Sequence, residues 1–290
     1  MQELHYDGPA TVPDAIALLA KGEARVLAGG TDLIPQMREG RRSLARVVDL
    51  KRIPELTAIE RLPDGSWRIG AATSIGKLGR DARFSSEHAG LLESARLVGS
   101  LQVQSRASLG GNVCNAAPSA DAVPLLFSLG AIGEIAGPSG RRTLPISEIA
   151  TGPGRTALQP GELLVSIILP ALRPRWAARY LRFTPRREMD IAIAGVGSFL
   201  QISADAKITN ACITLASVAP TPLIATAASK ALIGAKPSAK LFADVAAIAA
   251  GEAKPISDTR GSADYRRDLV GVLTRRTLEA CAADIERLAP

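Results

Sequence analysis

Two short segments carry the residue types best suited to gripping a ligand. The first, VLAGGTDLIP from Val26 to Pro35, sets Gly29 and Gly30 behind the apolar pair Val26 and Leu27 and follows them with Thr31, Asp32 and Leu33. Consecutive glycines let the backbone take positive φ and come within hydrogen-bond distance of a ligand, and a row of amides there makes a nest for a diphosphate. A tight turn between a strand and a helix has the same sequence signature. The spacing is neither the G-x-G-x-x-G of a dinucleotide loop nor a phosphate loop ending in Gly-Lys-Ser/Thr. The second segment, SLGGNVCNAAPSAD from Ser108 to Asp121, repeats the arrangement with Ser108, Gly110, Gly111 and Asn112. Asn112 and Asn115 can hydrogen-bond phosphate or ribityl oxygens. Asp121 can accept from hydroxyls of a sugar-like chain, or cap the apolar run AVPLLFSLG that follows it. Two such nests, far apart in the chain, suit a long anionic cofactor carrying both phosphates and hydroxyls.

These segments need elements to position them. TVPDAIALLAKG has a Thr-x-x-Asp capping pattern from Thr11 to Asp14, Pro13 in the first turn and a stop at Gly22, which predicts a helix of about three turns. ARVLAGG and RVVDL are strand-like, so a small β/α unit ends near Leu56. A second unit opens with LTAIERLPDGSWRIGAATSI, where Pro63 to Gly65 form a turn, and continues through a helix in HAGLLESARLVGS. A hairpin around Pro138 to Gly140 and a buried strand in GELLVSIILPAL close it. The Pro- and Arg-rich ALRPRWAARY marks a boundary near residue 175. Beyond it three strands are predicted, entering at Tyr180 and running from Ile191 to Ile202 and from Ile208 to Val218, with SADAK as a turn. Helices follow, the last from Ala263 to Leu288 with Tyr265, Leu269, Val272, Cys281, Ile285 and Leu288 on its apolar face. The fold class is α+β.

Composition narrows the chemistry. The 290 residues are 47% hydrophobic and 22% charged but only 3% aromatic, so the core is aliphatic and the chain globular. Cys114, Cys212 and Cys281 lack CxxC spacing and leave one over if two pair, so they read as reduced thiols, with neither zinc nor an iron–sulfur cluster in this chain. With His5 and His88 alone, histidine metal sites and Ser-His-Asp triads are poorly supplied. The net charge of +7 comes largely from scattered arginine pairs at 41, 141, 186, 266 and 275 that are not interleaved with aromatics, an arrangement unlike a base-stacking surface. A basic scaffold or nucleic-acid-binding protein without cofactor is the rival reading from another class. The start of the chain lacks a secretory pattern and no run is long and apolar enough to span a bilayer, so a cytoplasmic location is expected.

AGGTDLIP and SLGGNVCNAAPSAD, taken with GELLVSIILP and RFTPRREMDIA in the same order, resemble the FAD-binding medium subunits of the molybdenum hydroxylases, the family of carbon monoxide dehydrogenase and xanthine dehydrogenase. The resemblance runs from near Gln2 to the SADYRRDL tail. It implies a two-part FAD-binding domain like that of vanillyl-alcohol oxidase, residues 1–175 with parts of about 1–56 and 57–175. A smaller α+β domain, 176–290, with a three-stranded antiparallel sheet and helices would follow. It also implies that Ala28 to Leu33 wrap the FAD diphosphate, that Ser108, Gly110, Gly111 and Asn112 form a second cradle, and that Asn115 and Asp121 touch the ribityl or sugar region. Val103 and Ala107 would line the flavin or its linker, Leu164 would pack near the isoalloxazine, and Arg182, where similar chains carry lysine, would keep a cation near the flavin.

Such a subunit passes electrons from iron–sulfur clusters in a small partner to an external acceptor, while a large partner holds molybdenum. A dimer of heterotrimers is implied. Some relatives carry a four-cysteine insertion for a further cluster; nothing like it is present, so FAD alone is expected here. Arg186 to Asp190 reads either as a solvated charge cluster or as a fixture of the domain junction or iron–sulfur partner face. A stand-alone flavin reductase of the cell-wall enolpyruvyl sugar-nucleotide type is the nearest alternative, though the serine and glutamate it needs as proton donors have no comparable motif.

Overall fold

The computed structural model describes residues 4–172, 174–186 and 189–287. Gln2, Arg173 of the boundary segment, Arg187 and Glu188 of the charged cluster, and Leu288 of the tail helix lie outside them.

The chain starts with a small parallel sheet. Strand β1 (His5–Asp7) leads to helix α1 (Val12–Leu19), strand β2 (Ala24–Leu27), helix α2 (Leu33–Arg38) and strand β3 (Arg46–Asp49). The strands lie in the order β1-β3-β2, with β3 pairing parallel to both neighbours, so β2 is an edge. Helix α1 begins as its sequence dictates: the Thr11 side chain accepts from the Asp14 amide at 3.2 Å, and proline sits in the first turn where its missing N–H costs nothing.

A five-stranded antiparallel sheet follows, built from β4 (Ile59–Arg61), β5 (Trp67–Gly70), β6 (Ile132–Gly137), β7 (Gly140–Pro145) and a later strand, β10 (Leu163–Leu169), in the order β4-β5-β10-β6-β7. Between β5 and β6 lie six short helices: α3 (Ile75–Leu78), α4 (Ala82–Glu87), α5 (Ala89–Ala95), α6 (Leu101–Gln104), α7 (Leu109–Asn115) and α8 (Val123–Ser128). The hairpin β8 (Ala150–Gly152) and β9 (Arg155–Thr156) precedes β10. Central β10 is buried along almost its whole length, as its unbroken apolar sequence requires. Its pairing with β6 slips between Leu164 and Ser166, a bulge of the kind that re-aims a side chain beside a site.

The last third forms a four-stranded antiparallel sheet of β11 (Trp176–Phe183), β12 (Ala194–Ile202), β13 (Ile208–Ala216) and β14 (Leu223–Ile224), in chain order, with α9 (Thr226–Leu232) and α11 (Ala263–Arg287) packed on it and α10 (Ala239–Glu252) packed on those two helices. Three strands were predicted; the fourth is β14, a two-residue pairing too short to show a period. The face of α11 agrees with prediction at Cys281 and Ile285 but differs at two positions. Tyr265 and Val272 are 41% and 40% exposed, and the buried stripe runs through Val270, Leu273, Thr277, Cys281 and Ile285. Buried Thr277 stands in that stripe because its hydroxyl meets Ser198 Oγ at 2.7 Å and donates to the Leu273 carbonyl at 3.0 Å.

The few aromatic rings are concentrated where the five-stranded and four-stranded sheets meet. Trp67 and Phe84 pack edge to face at 5.3 Å, Phe84 stacks on His88 at 5.1 Å, and His88 faces Trp176 at 5.5 Å, which in turn faces Phe199 at 6.0 Å. Enclosure among these rings pushes the His88 imidazole down to about 4, so it stays neutral. Helix α5 presses directly on β11: a Cβ built on Gly90 would lie 1.9 Å from the Ala178 carbonyl oxygen. Gly90→Ala is therefore expected to destabilise the chain by about 1–3 kcal/mol through overpacking, read as a lower urea midpoint with an unchanged slope.

Candidate cofactor site

The two glycine-rich segments meet. Gly29, at the end of β2, lies so close to the chain before α7 that a Cβ there would sit 2.2 Å from the Arg106 carbonyl oxygen and 2.9 Å from the Ala107 Cα. On the far side of the same strip, Gly110 packs on Ala71, where a Cβ would be 2.4 Å from the carbonyl oxygen. Hydrogen bonds hold the seam: the Ile75 amide donates to the Ala107 carbonyl at 2.8 Å, and Ser74 and Ser108 pair as an isolated antiparallel bridge. Lys51 Nζ donates to the Ala28 carbonyl at 2.8 Å and to Asp49 at 2.6 Å, anchoring the first segment to the end of β3.

The glycines serve different purposes than their pairing implies. Gly30 alone of the four takes positive φ, +77°. Gly29 and Gly110 are there because backbone lies against them. The second segment is not a loop nest but the first turn of α7, capped by Ser108, whose Oγ accepts from the Gly111 amide at 3.0 Å. The one close neighbour of an ideal Cβ on Gly111 is the capping Ser108 Oγ, 3.1 Å away, which would have to give slightly to admit a side chain.

Around the seam lies a cavity of about 740 Å³, within the range of roughly 300–1,000 Å³ typical of small-molecule and cofactor sites. Val26, Leu27, Ala28, Gly29, Gly30, Thr31, Asp32 and Leu33 line one wall, and Ala107, Ser108, Gly110, Gly111, Asn112 and Asn115 another, with Leu164 from β10. Asn112 Oδ1 is buried without a hydrogen-bond partner, an acceptor left for something in this space. Cys114 also lines the cavity, its thiol pushed up to about 12 by burial and so held protonated.

Sequence reading missed a third wall. Thr151, Gly154, Arg155 and Thr156 of the β8–β9 hairpin and Gln159 to Leu163 face the same space, as do Arg25, Gln36 and Arg42. The sequence reading does not single out this hairpin, and the turn residues of Gly152 to Arg155 carry no sign of where it would fold. Glu162 brings an acid to this wall, yet Arg142 neutralises it with two bonds of 2.7 and 2.6 Å, which hold its carboxyl below the usual range.

Three sequence candidates do not line the cavity. Val103, half-buried in α6, packs against Gly99. Asp121 and Arg182 bond to each other: Arg182 donates to one Asp121 oxygen at 2.5 Å and the Tyr180 hydroxyl to the other at 3.0 Å, and both charged side chains are 9% exposed. Nor does Asp121 cap α8, whose N-cap is Ala122 without a side-chain bond. The reason is reach: both carboxylate oxygens are turned to β11.

Among the described residues no cluster of metal-ligating side chains occurs and no helix is long and apolar enough to cross a membrane. Residues 2–172 match the family model for the FAD-binding domain in molybdopterin dehydrogenase, and residues 179–281 that for the carbon monoxide dehydrogenase flavoprotein C-terminal domain. The chain is 35% identical over 280 residues to the carbon monoxide dehydrogenase medium chain of Afipia carboxidovorans, covering 96% of each. It is 30% identical over 281 residues to the xanthine dehydrogenase FAD-binding subunit of Escherichia coli O157:H7, again with 96% of each covered. A solved carbon monoxide dehydrogenase structure from Hydrogenophaga pseudoflava superposes with a TM-score of 0.92 at 31% identity, over 97% of this chain and 98% of the other.

Burial is the largest influence on Asp121 and raises its carboxyl to about 6, against the pull of Arg182 and Tyr180. A carboxyl with a higher pKa folded than unfolded adds stability in full below its ordinary value of 3.8, and that contribution is lost as pH rises through about 6. Between pH 4 and 7 the unfolding free energy of the wild type minus that of Asp121→Asn is expected to fall with rising pH in urea titrations. A difference that rises with pH would show the ion pair outweighing burial.

Proposed function

The chain belongs to the FAD-binding medium-subunit family of the molybdenum hydroxylases, and from that premise we propose that it carries FAD in the cavity between its two glycine-rich segments. It would do so as the electron-transfer subunit of a molybdenum-containing hydroxylase or dehydrogenase complex. The observation that carries this reading is the seam itself: two amide-rich, side-chain-poor walls in contact, enclosing a cofactor-sized space with an orphaned buried acceptor at Asn112.

The residues present fit such a cofactor. Arg25, Arg42 and Arg155 supply positive charge for a diphosphate. Gly111 lines the cavity without a side chain, and apolar Leu164 and Leu158 suit a ring system. Bound flavin supplies the redox chemistry, and the protein's part is to hold it, orient it and exclude water. Of the titratable groups lining the cavity, Cys114 stays protonated and Glu162 is tied to Arg142, while burial raises the Asp32 carboxyl beside the first glycine segment.

The wider reading follows the family. Residues 1–175 would form the FAD domain, in two parts and of the vanillyl-alcohol oxidase type, and 176–290 the smaller domain. An iron–sulfur small subunit and a molybdenum large subunit would be the partners, assembled as a dimer of heterotrimers. Electrons arriving from the clusters would leave by way of FAD to an external acceptor.

Gly111→Val tests the cavity. Its φ is ordinary and its one close neighbour is the Ser108 Oγ, which must yield slightly, so the variant is expected to stay folded with a melting temperature lowered by only a few degrees while losing FAD at least ten-fold, measured as visible flavin absorbance per chain after purification. Full flavin content in a folded Gly111→Val protein would overturn the placement of the cofactor against α7.

A further inference from the structure

A chain of hydrogen bonds crosses the mouth of the cavity from α2 to α7. Arg42 Nε donates to Gln36 Oε1 at 2.6 Å, and Gln36 Nε2 donates to Asn115 Oδ1 at 3.4 Å. All three residues line the cavity. The link at the α2 end is built into the backbone. Helix α2 ends at Arg38, and Gly40 just beyond it, with a φ of +69°, turns the chain so that the Arg41 and Arg42 amides both donate to the Gln36 carbonyl, at 2.9 and 3.3 Å. Arg42 is thereby set beside the side chain it contacts.

The order of donors in this chain is not free to reverse. A guanidinium has donors only, so it must meet the oxygen end of Gln36. Gln36 is then left with its NH2 end toward Asn115, which must answer with its oxygen. Among the described residues no hydrogen bond reaches Asn115 Nδ2, so the end of Asn115 that remains for a ligand is its donor end. Asn112, three residues or about five-sixths of a turn earlier, has no such partner to fix it, and its buried Oδ1 is unsatisfied.

We propose that Arg42 and Gln36 are positioning residues that lock Asn115 as a hydrogen-bond donor to an acceptor-only oxygen, a phosphate of the bound dinucleotide. The inference rests on the FAD reading and deepens it. A hydroxyl could bond either end of a freely turning amide. A phosphate oxygen accepts only, and it gains when the amide is held with its N–H outward before the ligand arrives.

The test compares FAD with riboflavin, which lacks phosphate, binding to the full-length chain stripped of flavin, each followed by fluorescence titration. In Gln36→Glu the carboxylate still accepts from Arg42 but cannot donate. Asn115 must then turn its NH2 toward it and show its oxygen to the phosphate. The expected result is an FAD Kd raised about ten-fold, with riboflavin binding unchanged, which also reports that the variant is folded. Because the new carboxylate could repel phosphate through space, the same substitution is repeated in an Asn115→Ala background. There it is expected to cost nothing further. A repeated ten-fold loss in that background, an equal loss of riboflavin, or no loss of FAD in Gln36→Glu would each overturn the relay. Failure of the wild type to bind FAD would overturn the FAD reading instead.

Discussion

The site depends on one close approach, backbone against backbone where Gly29 meets Arg106 and Ala107. With a Cβ position only 2.2 Å from a carbonyl oxygen, no other residue fits at Gly29 without pushing β2 and α7 apart. The same demand runs through the neighbouring positions, which are Ala28, Ala71, Ala107 and Gly110. Small residues are what let two chain segments lie together without a side-chain layer between them. Their amides and carbonyls then line the cavity directly. The approach is secured from both sides, by Lys51 on the Ala28 carbonyl and by the Ile75 amide on that of Ala107. Neither anchor touches the cavity with a titratable atom that chemistry would require, which fits a surface made to hold a cofactor.

Charge at the site is arranged to the same end. Arg25, Arg42 and Arg155 line the cavity, while the acid nearest to the third wall, Glu162, is bonded twice by Arg142. Two other acids, Glu23 and Asp32, share the lining, and burial raises the Asp32 carboxyl, which disfavours its charge; the +7 excess of the sequence has here a local expression. Composition alone could not show it, because the three arginines come from β2, the turn after α2 and β9, and only the fold gathers them.

That difference marks how far the sequence could be read. The two glycine segments, the Thr11 cap, the hairpin at Pro138 to Gly140 and the buried β10 were legible because each depends on neighbours in sequence: a turn residue, a capping oxygen, an apolar run. The reasons for the individual glycines were not, since Gly29 and Gly110 answer to Arg106 and Ala71. The hairpin wall from Thr151 to Thr156 carried only turn chemistry. In α11 the apolar pattern pointed to Tyr265 and Val272, whereas burial follows Thr277, a polar residue that Ser198 and the Leu273 carbonyl make acceptable inside. Asp121 was legible as a polar residue needing a partner, but not as the partner of Tyr180 and Arg182 from beyond the boundary segment.

The Asp121 pair also bears on how the sheets behave together. Asp121 sits on the short stretch between α7, which supplies the cavity wall, and α8, which packs on β12 and β13. Arg182 and Tyr180 stand on β11, whose opposite end carries Trp176 in the column of rings. A shift of β11 therefore cannot occur without either dragging this connection or breaking a buried ion pair, and leaving one member of such a pair uncompensated costs about 3–5 kcal/mol. The ion pair thus ties the four-stranded sheet to the stretch beside the cavity wall, and the aromatic column and the α5–β11 contact at Gly90 tie it to the five-stranded sheet and its helices. Separated attachments fix an orientation where one would permit rotation. The structure in this way makes the position of α7 answerable to the last third of the chain, although none of its described residues lines the cavity itself.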